Sequence, residues 1–168
     1  TNQIKKQSIN FIFMEINALI KNRIQNNSIK SSKRNISHHY DIGNDLYGKM
    51  LDKHMQYTCA YFNKPNMTLD EAQYAKMMLI AKKLDLKQNM VILDIGCGFG
   101  SMAQFLAKHY GVYVIGVTLS KKQKYYADKY FSHPNVTIKL KDYRHVSGQF
   151  DRVYSVGMFE HVGRRNYK

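Results

Sequence analysis

The residues best equipped for chemistry sit together in Val91-Ile92-Leu93-Asp94-Ile95-Gly96-Cys97-Gly98-Phe99-Gly100, where an apolar run ends in an acid and three alternating glycines. An apolar run that stops at glycines is the pattern of a buried strand turning sharply into a helix. Glycine permits positive φ and leaves no Cβ between backbone and ligand. Such a turn makes a nucleotide-type pocket at the carboxyl end of a parallel strand, beside a helix N-terminus. The spacing is G-x-G-x-G rather than the G-x-G-x-x-G that cradles a pyrophosphate, and Asp94 stands two residues ahead of Gly96. A carboxylate there repels a pyrophosphate and favours a ligand carrying an ammonium and a sulfonium, a description that S-adenosylmethionine fits. A tight turn with no ligand uses the same residues, so the loop alone leaves both readings open.

Other reactive types are scattered. The two cysteines, Cys59 and Cys97, form neither a disulfide framework nor a metal-ligand pair, which suits a reducing compartment. Cys97, inside the glycine turn, reads as a small space-filler. No His or Lys adjoins Cys59 to activate its thiol as a nucleophile. The seven histidines make no H-x-x-x-H or Cys/His cluster, so no metal site is expected. Segment 55–63, MQYTCAYFN, holds three aromatics and no formal charge. It suits either core packing or the lining of a pocket, and Glu160-His161 suits either a surface turn or a carboxylate aimed into a crevice.

These groups need a scaffold. Met90–Ile95, Val112–Val117, Val136–Leu140 and Asp151–Val156 read as strands. Ser101–Tyr110 and Leu119–Phe131 read as helices, the second capped by Thr118 or Ser120. Alternating β and α elements with apolar strands predict a parallel sheet covered on both faces, with right-handed crossovers. Thr68 opens a T-x-x-E capping box with Glu71, which predicts a helix over 69–84 burying Ala72, Ala75, Met78, Leu79 and Ala81-Lys82. A short helix is expected over Asp45–Leu51. Ile9, Ile12, Phe13, Ile16, Leu19, Ile20 and Ile24 recur at helical spacing over about 4–25, ahead of a polar, basic linker at 26–37. The apolar face of that N-terminal helix suits packing on the main domain or lying on a lipid surface. The expected division is 1–37, an amphipathic helix and basic linker closing a longer N-terminal domain, and 38–168, a cofactor-binding domain. Open sheets of this kind have about six strands, so with four placed the domain is expected to be incomplete toward its C-terminus.

The formal net charge is +14 over 168 residues. Such a field attracts polyanions, either nucleic acid or an anionic membrane surface; solubility alone is the plainer explanation. No apolar run reaches the ~18 residues of a membrane span, and Glu15 and Asn17 interrupt the N-terminal segment. A cytoplasmic protein is expected, touching the inner face of a membrane at most.

Many nucleotide folds end the second strand on an Asp or Glu that binds ribose; here Thr118-Leu119-Ser120 fill the position. At this point the chain resembles the cyclopropane-fatty-acyl-phospholipid synthases and their mycolic-acid-modifying relatives. The matching pieces are HYDIGNDLY (39–47), MQYTCAYF (55–62), TLDEAQYAK (68–76), LDIGCGFG (93–100), GVTLSKKQ (116–123) and GMFEHVG (157–163), in family order and over about 38–168. LDIGCGFG is shared by many methyltransferases, whereas the succession QYTCAYF, TLDEAQ, GVTLSKKQ is specific.

The resemblance implies a Rossmann-like class I methyltransferase fold and transfer of the S-adenosylmethionine methyl to a cis double bond of an unsaturated phospholipid acyl chain. An alkene is a poor nucleophile, so rate must come from positioning and desolvation. Attack leaves a carbocation, and loss of a proton from the new methyl closes a cyclopropane ring. The resemblance implies a bound bicarbonate as the base, caged by residues that include Cys59 and Glu160. It places Tyr57, Thr58, Asp94, Gly96, Cys97, Gly98, Gly100, Thr118, Leu119, Ser120 and Gln123 at the cofactor. Asp142 and Tyr143 follow the third strand, where adenine contacts commonly sit. Tyr40, Tyr61, Phe62 and Phe159, with Tyr57 beside them, are expected to line a dry substrate slot, since aromatic faces stabilise positive charge. Anionic phospholipid is the expected partner and a homodimer is compatible. Alternatives are a methyltransferase acting on another lipid or a small molecule, and a basic, non-catalytic module that grips nucleic acid. The last lacks any recognisable nucleic-acid-binding motif, so no nucleic acid is expected.

Overall fold

Val91–Ile95 forms β1, whose three central residues are all buried. A strand covered on both faces has no polar alternation, which is why VILDI carries a single polar side chain. In the computed structural model the described residues are 44–163, 166 and 167. The expected helix at 4–25, the linker at 26–37, Tyr40 and the 1–37 domain division lie outside them.

β1 pairs in parallel with β2 (Tyr113–Thr118) on one side and with β4 (Arg152–Tyr154) on the other, and β2 pairs with β3 (Val136–Leu140). The order β3-β2-β1-β4 is that of a doubly wound sheet. Ahead of the sheet come α1 (Asn44–Met50) and α2 (Leu69–Leu84); α3 (Ser101–Tyr110) links β1 to β2, and α4 (Lys121–Tyr130) links β2 to β3. Met77, Ile92, Leu106, Val112 and Val114 are the largest fully buried side chains and bind α2 and α3 to the sheet.

The expected helix at 69–84 is present with its capping box: the Thr68 hydroxyl accepts from the Glu71 N–H, and the Glu71 carboxylate accepts from the Thr68 N–H at 2.8 Å. Its inward face is rotated by one position from the expectation. Ala72, Gln73, Lys76, Met77 and Ala81 are buried, Ala75 and Leu79 are half-buried, and Met78 and Lys82 face outward. Two polar side chains are inside because they hydrogen-bond there. β4 is three residues long instead of the six of Asp151–Val156. The Asp151 carboxylate instead accepts the Val91 N–H at 2.7 Å, and Ser155 turns out of the sheet to donate to the Ile95 carbonyl at 2.9 Å. Four parallel strands and the two connecting helices are present where the sequence reading puts them, with β4 shortened and the ends of β2 and α4 shifted by one or two residues, in a Rossmann-like α/β architecture.

Candidate cofactor and active site

β1 ends at Ile95, and the next two N–H groups, of Gly96 and Cys97, both donate to the Val117 carbonyl at 3.0 and 3.1 Å. That double bond folds the chain back over β2 and starts the turn into α3. The glycines serve different ends. A Cβ on Gly96 would strike Met158 at 2.7 Å, and one on Gly100 would strike Ala127 at 2.8 Å, so these two permit packing. A Cβ on Gly98 would meet nothing within 4 Å. Gly98 has φ +55 and open space above it, the arrangement of a backbone left bare for a ligand.

Asp94 lies beneath this turn, 3% exposed, and accepts the Tyr154 hydroxyl at 2.8 Å. Burial lifts its carboxyl to about 7, with the Tyr154 hydrogen bond pulling the other way. Asp94 is therefore no solvent-facing carboxylate at the loop mouth; it is a buried acid whose ionised form gains most from a nearby cation. Burial also pushes the Cys97 thiol up, and Cys97 packs where a side chain on Gly116 would stand, in keeping with a space-filler.

The end of β2 is a closed polar knot. Thr118 accepts the Ser120 N–H at 3.1 Å and bonds Gln123 Oε1 at 2.8 Å, while Ser120 caps α4 by accepting the Gln123 N–H at 3.2 Å. All three side chains are buried, and Leu119 between them is half-buried. Asp142 is buried and held by Arg144 through Nε at 2.8 Å and Nη2 at 2.7 Å, which keeps its carboxyl below the usual range. The Arg144 guanidinium stands over the half-buried Tyr143 ring at 5.6 Å.

The segment 52–62 approaches the turn from the α2 side. Gln56 donates to Ser101 Oγ at 2.7 Å, at the first residue of α3. Tyr57 rests edge-on against Tyr47 at 5.3 Å, and Tyr47 packs on Phe99 of the glycine turn at 5.9 Å. Thr58 is half-buried and Cys59 is exposed. Beyond β4, Gly157 lies so close to Thr58 that a Cβ on it would meet Thr58 Cγ2 at 2.5 Å, with Glu160 Oε1 4.0 Å from the same point. The structure thus brings Thr58 and Glu160 to one place, although the Glu160 side chain is exposed.

The dry aromatic slot is not formed by the described residues. Tyr57, Tyr61, Phe62 and Phe159 are 54%, 44%, 58% and 56% exposed. Phe159 stacks on Tyr167 at 4.8 Å. Tyr61 turns to a separate cleft of about 590 Å³, shared with Ala75, Met78, Leu79 and Tyr110, because its N–H is tied to the Ala72 carbonyl of α2 at 3.1 Å. Four partners escape a reading of the sequence: Tyr154 on Asp94, Met158 on Gly96, and Gln73 and Lys76 of α2 on the Thr58 segment.

A family model described as mycolic acid cyclopropane synthetase matches residues 27–168. The chain belongs to that family. The cyclopropane-fatty-acyl-phospholipid synthase of Escherichia coli (strain K12) is 52% identical over 129 residues, covering 77% of this chain and 34% of that protein. Hydroxymycolate synthase MmaA4 of Mycobacterium tuberculosis is 39% identical over 136 residues, covering 79% and 45%. Among solved structures, mycolic acid cyclopropane synthase CmaA1 complexed with SAH and CTAB superposes with a TM-score of 0.76 at 37% identity, over 80% of this chain and 49% of that one. The chain spans between a third and a half of the length of these relatives. The family match bears out the resemblance on which the candidate residues were chosen.

Proposed function

We propose that the protein of which these residues form the cofactor half transfers the methyl of S-adenosylmethionine to a cis double bond of an unsaturated phospholipid acyl chain, closing a cyclopropane ring. The observation that carries this reading is the meeting of three segments at the carboxyl edge of the sheet: the glycine turn, where Gly96 packs on Met158; Thr58, which packs on Gly157; and the turn from Gly157 to Glu160. The residues fit the cofactor. Gly98 leaves room for it, and Asp94 is a buried acid short of a positive partner. Asp142 uses three of its roughly four acceptor positions on Arg144, leaving one for an exocyclic amine. When bound, S-adenosylmethionine supplies an electrophilic methyl. This chain's part is to hold it and to present the alkene in line, where orientation outweighs any proton transfer in lowering the barrier.

Glu160 and Cys59 are the groups to cage a bicarbonate that takes the proton lost on ring closure. Tyr40, Tyr57, Tyr61, Phe62 and Phe159 are the rings to form a water-free lining under acyl chain or further protein, and the exposed rings of Tyr57, Tyr61, Phe62 and Phe159 gain from such cover. The charge of +14 suits a cytoplasmic enzyme that docks on the inner face of an anionic membrane, at ~1 kcal/mol per Lys or Arg near the surface. Among the described residues no helix is long and apolar enough to cross one. Binding to anionic vesicles is expected to weaken steeply with salt; salt-independent binding contradicts surface docking.

The test of the reaction is lipid analysis of cells that express the full-length protein and are fed methyl-labelled methionine. Label in a cyclopropane ring supports the proposal. Label in a methyl branch without a ring supports the second reading, methylation of a lipid to another product, which the similarity to a hydroxymycolate synthase favours. Unlabelled acyl chains contradict both.

A further inference from the structure

Lys76 is 7% exposed, and among the described residues it makes no ion pair. Lysine is almost never buried without a charged partner, and its neutral replacement would spare the desolvation cost. Its Nζ instead donates to Thr58 twice, to the hydroxyl at 2.5 Å and to the carbonyl at 3.3 Å. Burial pulls its ammonium down to about 8, against the charges of Asp52 and Cys59. One turn earlier, Gln73 donates from Nε2 to the same Thr58 carbonyl at 3.0 Å and to the Gln56 carbonyl at 3.2 Å. Gln73 Oε1 is buried with no hydrogen-bond partner, the sole such side-chain atom among the described residues. Two costs that native interiors avoid therefore fall on adjacent residues of one helix face. Both are incurred to hold one backbone carbonyl.

Thr58 is the residue whose methyl fills the space above Gly157. Gly157 has no side chain to separate Thr58 from the turn that carries Glu160, and its φ of +77 is one that glycine adopts freely. On its other side the same segment is tied to α3 by Gln56 and Ser101.

We propose that Lys76, assisted by Gln73, is a positioning residue: it clamps Thr58 against Gly157 and so fixes the separation of Cys59, Glu160 and the glycine turn. The role in turnover rests on the function proposed above; the clamp itself does not. Moving a reacting geometry by an ångström costs about 100-fold, which gives a buried cation on neutral oxygens a purpose that packing would not.

The test uses Lys76→Met, which keeps length and packing, in the full-length protein. Methyl transfer to unsaturated phospholipid vesicles is expected to lose about tenfold or more in kcat, while KM for the lipid and the affinity for S-adenosylhomocysteine change by less than about threefold. Thr58→Val is expected to lower kcat as well, and the double variant to be no worse than Lys76→Met, since both act through one contact. Equal losses in kcat and S-adenosylhomocysteine affinity, or additive losses in the double variant, overturn the proposal. Amide hydrogen exchange gives the answer independent of turnover: Lys76→Met is expected to speed exchange in 56–62 and 155–160 and leave β2 unchanged. Unchanged exchange in both segments overturns the clamp; faster exchange in Lys76→Met, where the wild-type protein itself transfers no methyl, retains the clamp and rejects the function.

Discussion

Replacing Asp94 with Asn separates what the carboxylate costs the fold from what it gives the site. Asp94 is 3% exposed, and burial lifts its carboxyl from 3.8 to about 7. A folded value above the unfolded one means that the folded state holds the proton more tightly. The stability tied to that proton is complete below 3.8, drains as pH rises, and is gone above about 7. At about 1.4 kcal/mol per unit, the loss reaches on the order of 4 kcal/mol. Asn has the same shape, carries no charge, and its amide oxygen still accepts the Tyr154 hydroxyl. Urea unfolding is therefore expected to give near-equal stability for Asp94→Asn and wild type at about pH 4, a growing advantage for the variant up to about pH 7, and a constant one above. Calorimetry is expected to show the opposite for the ligand: affinity for S-adenosylhomocysteine falls about tenfold or more, because the ammonium loses its buried counter-charge. Parallel stability curves for the two proteins across this range would refute the reasoning.

Two further substitutions divide the turn from the core. Gly98→Ala adds a Cβ that meets nothing within 4 Å, so thermal unfolding should show only the left-handed backbone penalty of about 1–2 kcal/mol, while S-adenosylhomocysteine affinity falls far more; unchanged affinity contradicts a ligand above Gly98. Met77→Ala empties a fully buried position between α2 and the sheet and is expected to cost about 2–5 kcal/mol in denaturant unfolding, with a loss under 1 kcal/mol contradicting the packing described.

Local signals were the legible ones. Val136–Leu140 and Ser101–Tyr110 match their expected bounds, and Thr68 with Glu71 marks the start of α2, because period, capping and glycine act within a few residues. The glycine turn is visible for the same reason. Pairings between residues far apart leave no such trace. Tyr154 reaches Asp94 across 60 positions, and Asp151 reaches the Val91 N–H across as many. The inner face of α2 was misplaced because Gln73 and Lys76 look like surface residues until the oxygens of Thr58 are set beside them. The aromatics at 57–62 suggest burial by type, yet their surroundings leave Tyr57, Tyr61 and Phe62 exposed.

The central claim is that the turn after β1 holds a methyl donor of the S-adenosyl class. Isothermal titration of the full-length protein with S-adenosylhomocysteine tests it most directly. One site per chain is expected, with binding abolished or weakened about tenfold or more by Gly98→Ala and Asp94→Asn. Absence of heat and of protection against unfolding at saturating ligand, or binding that both variants retain, would contradict it.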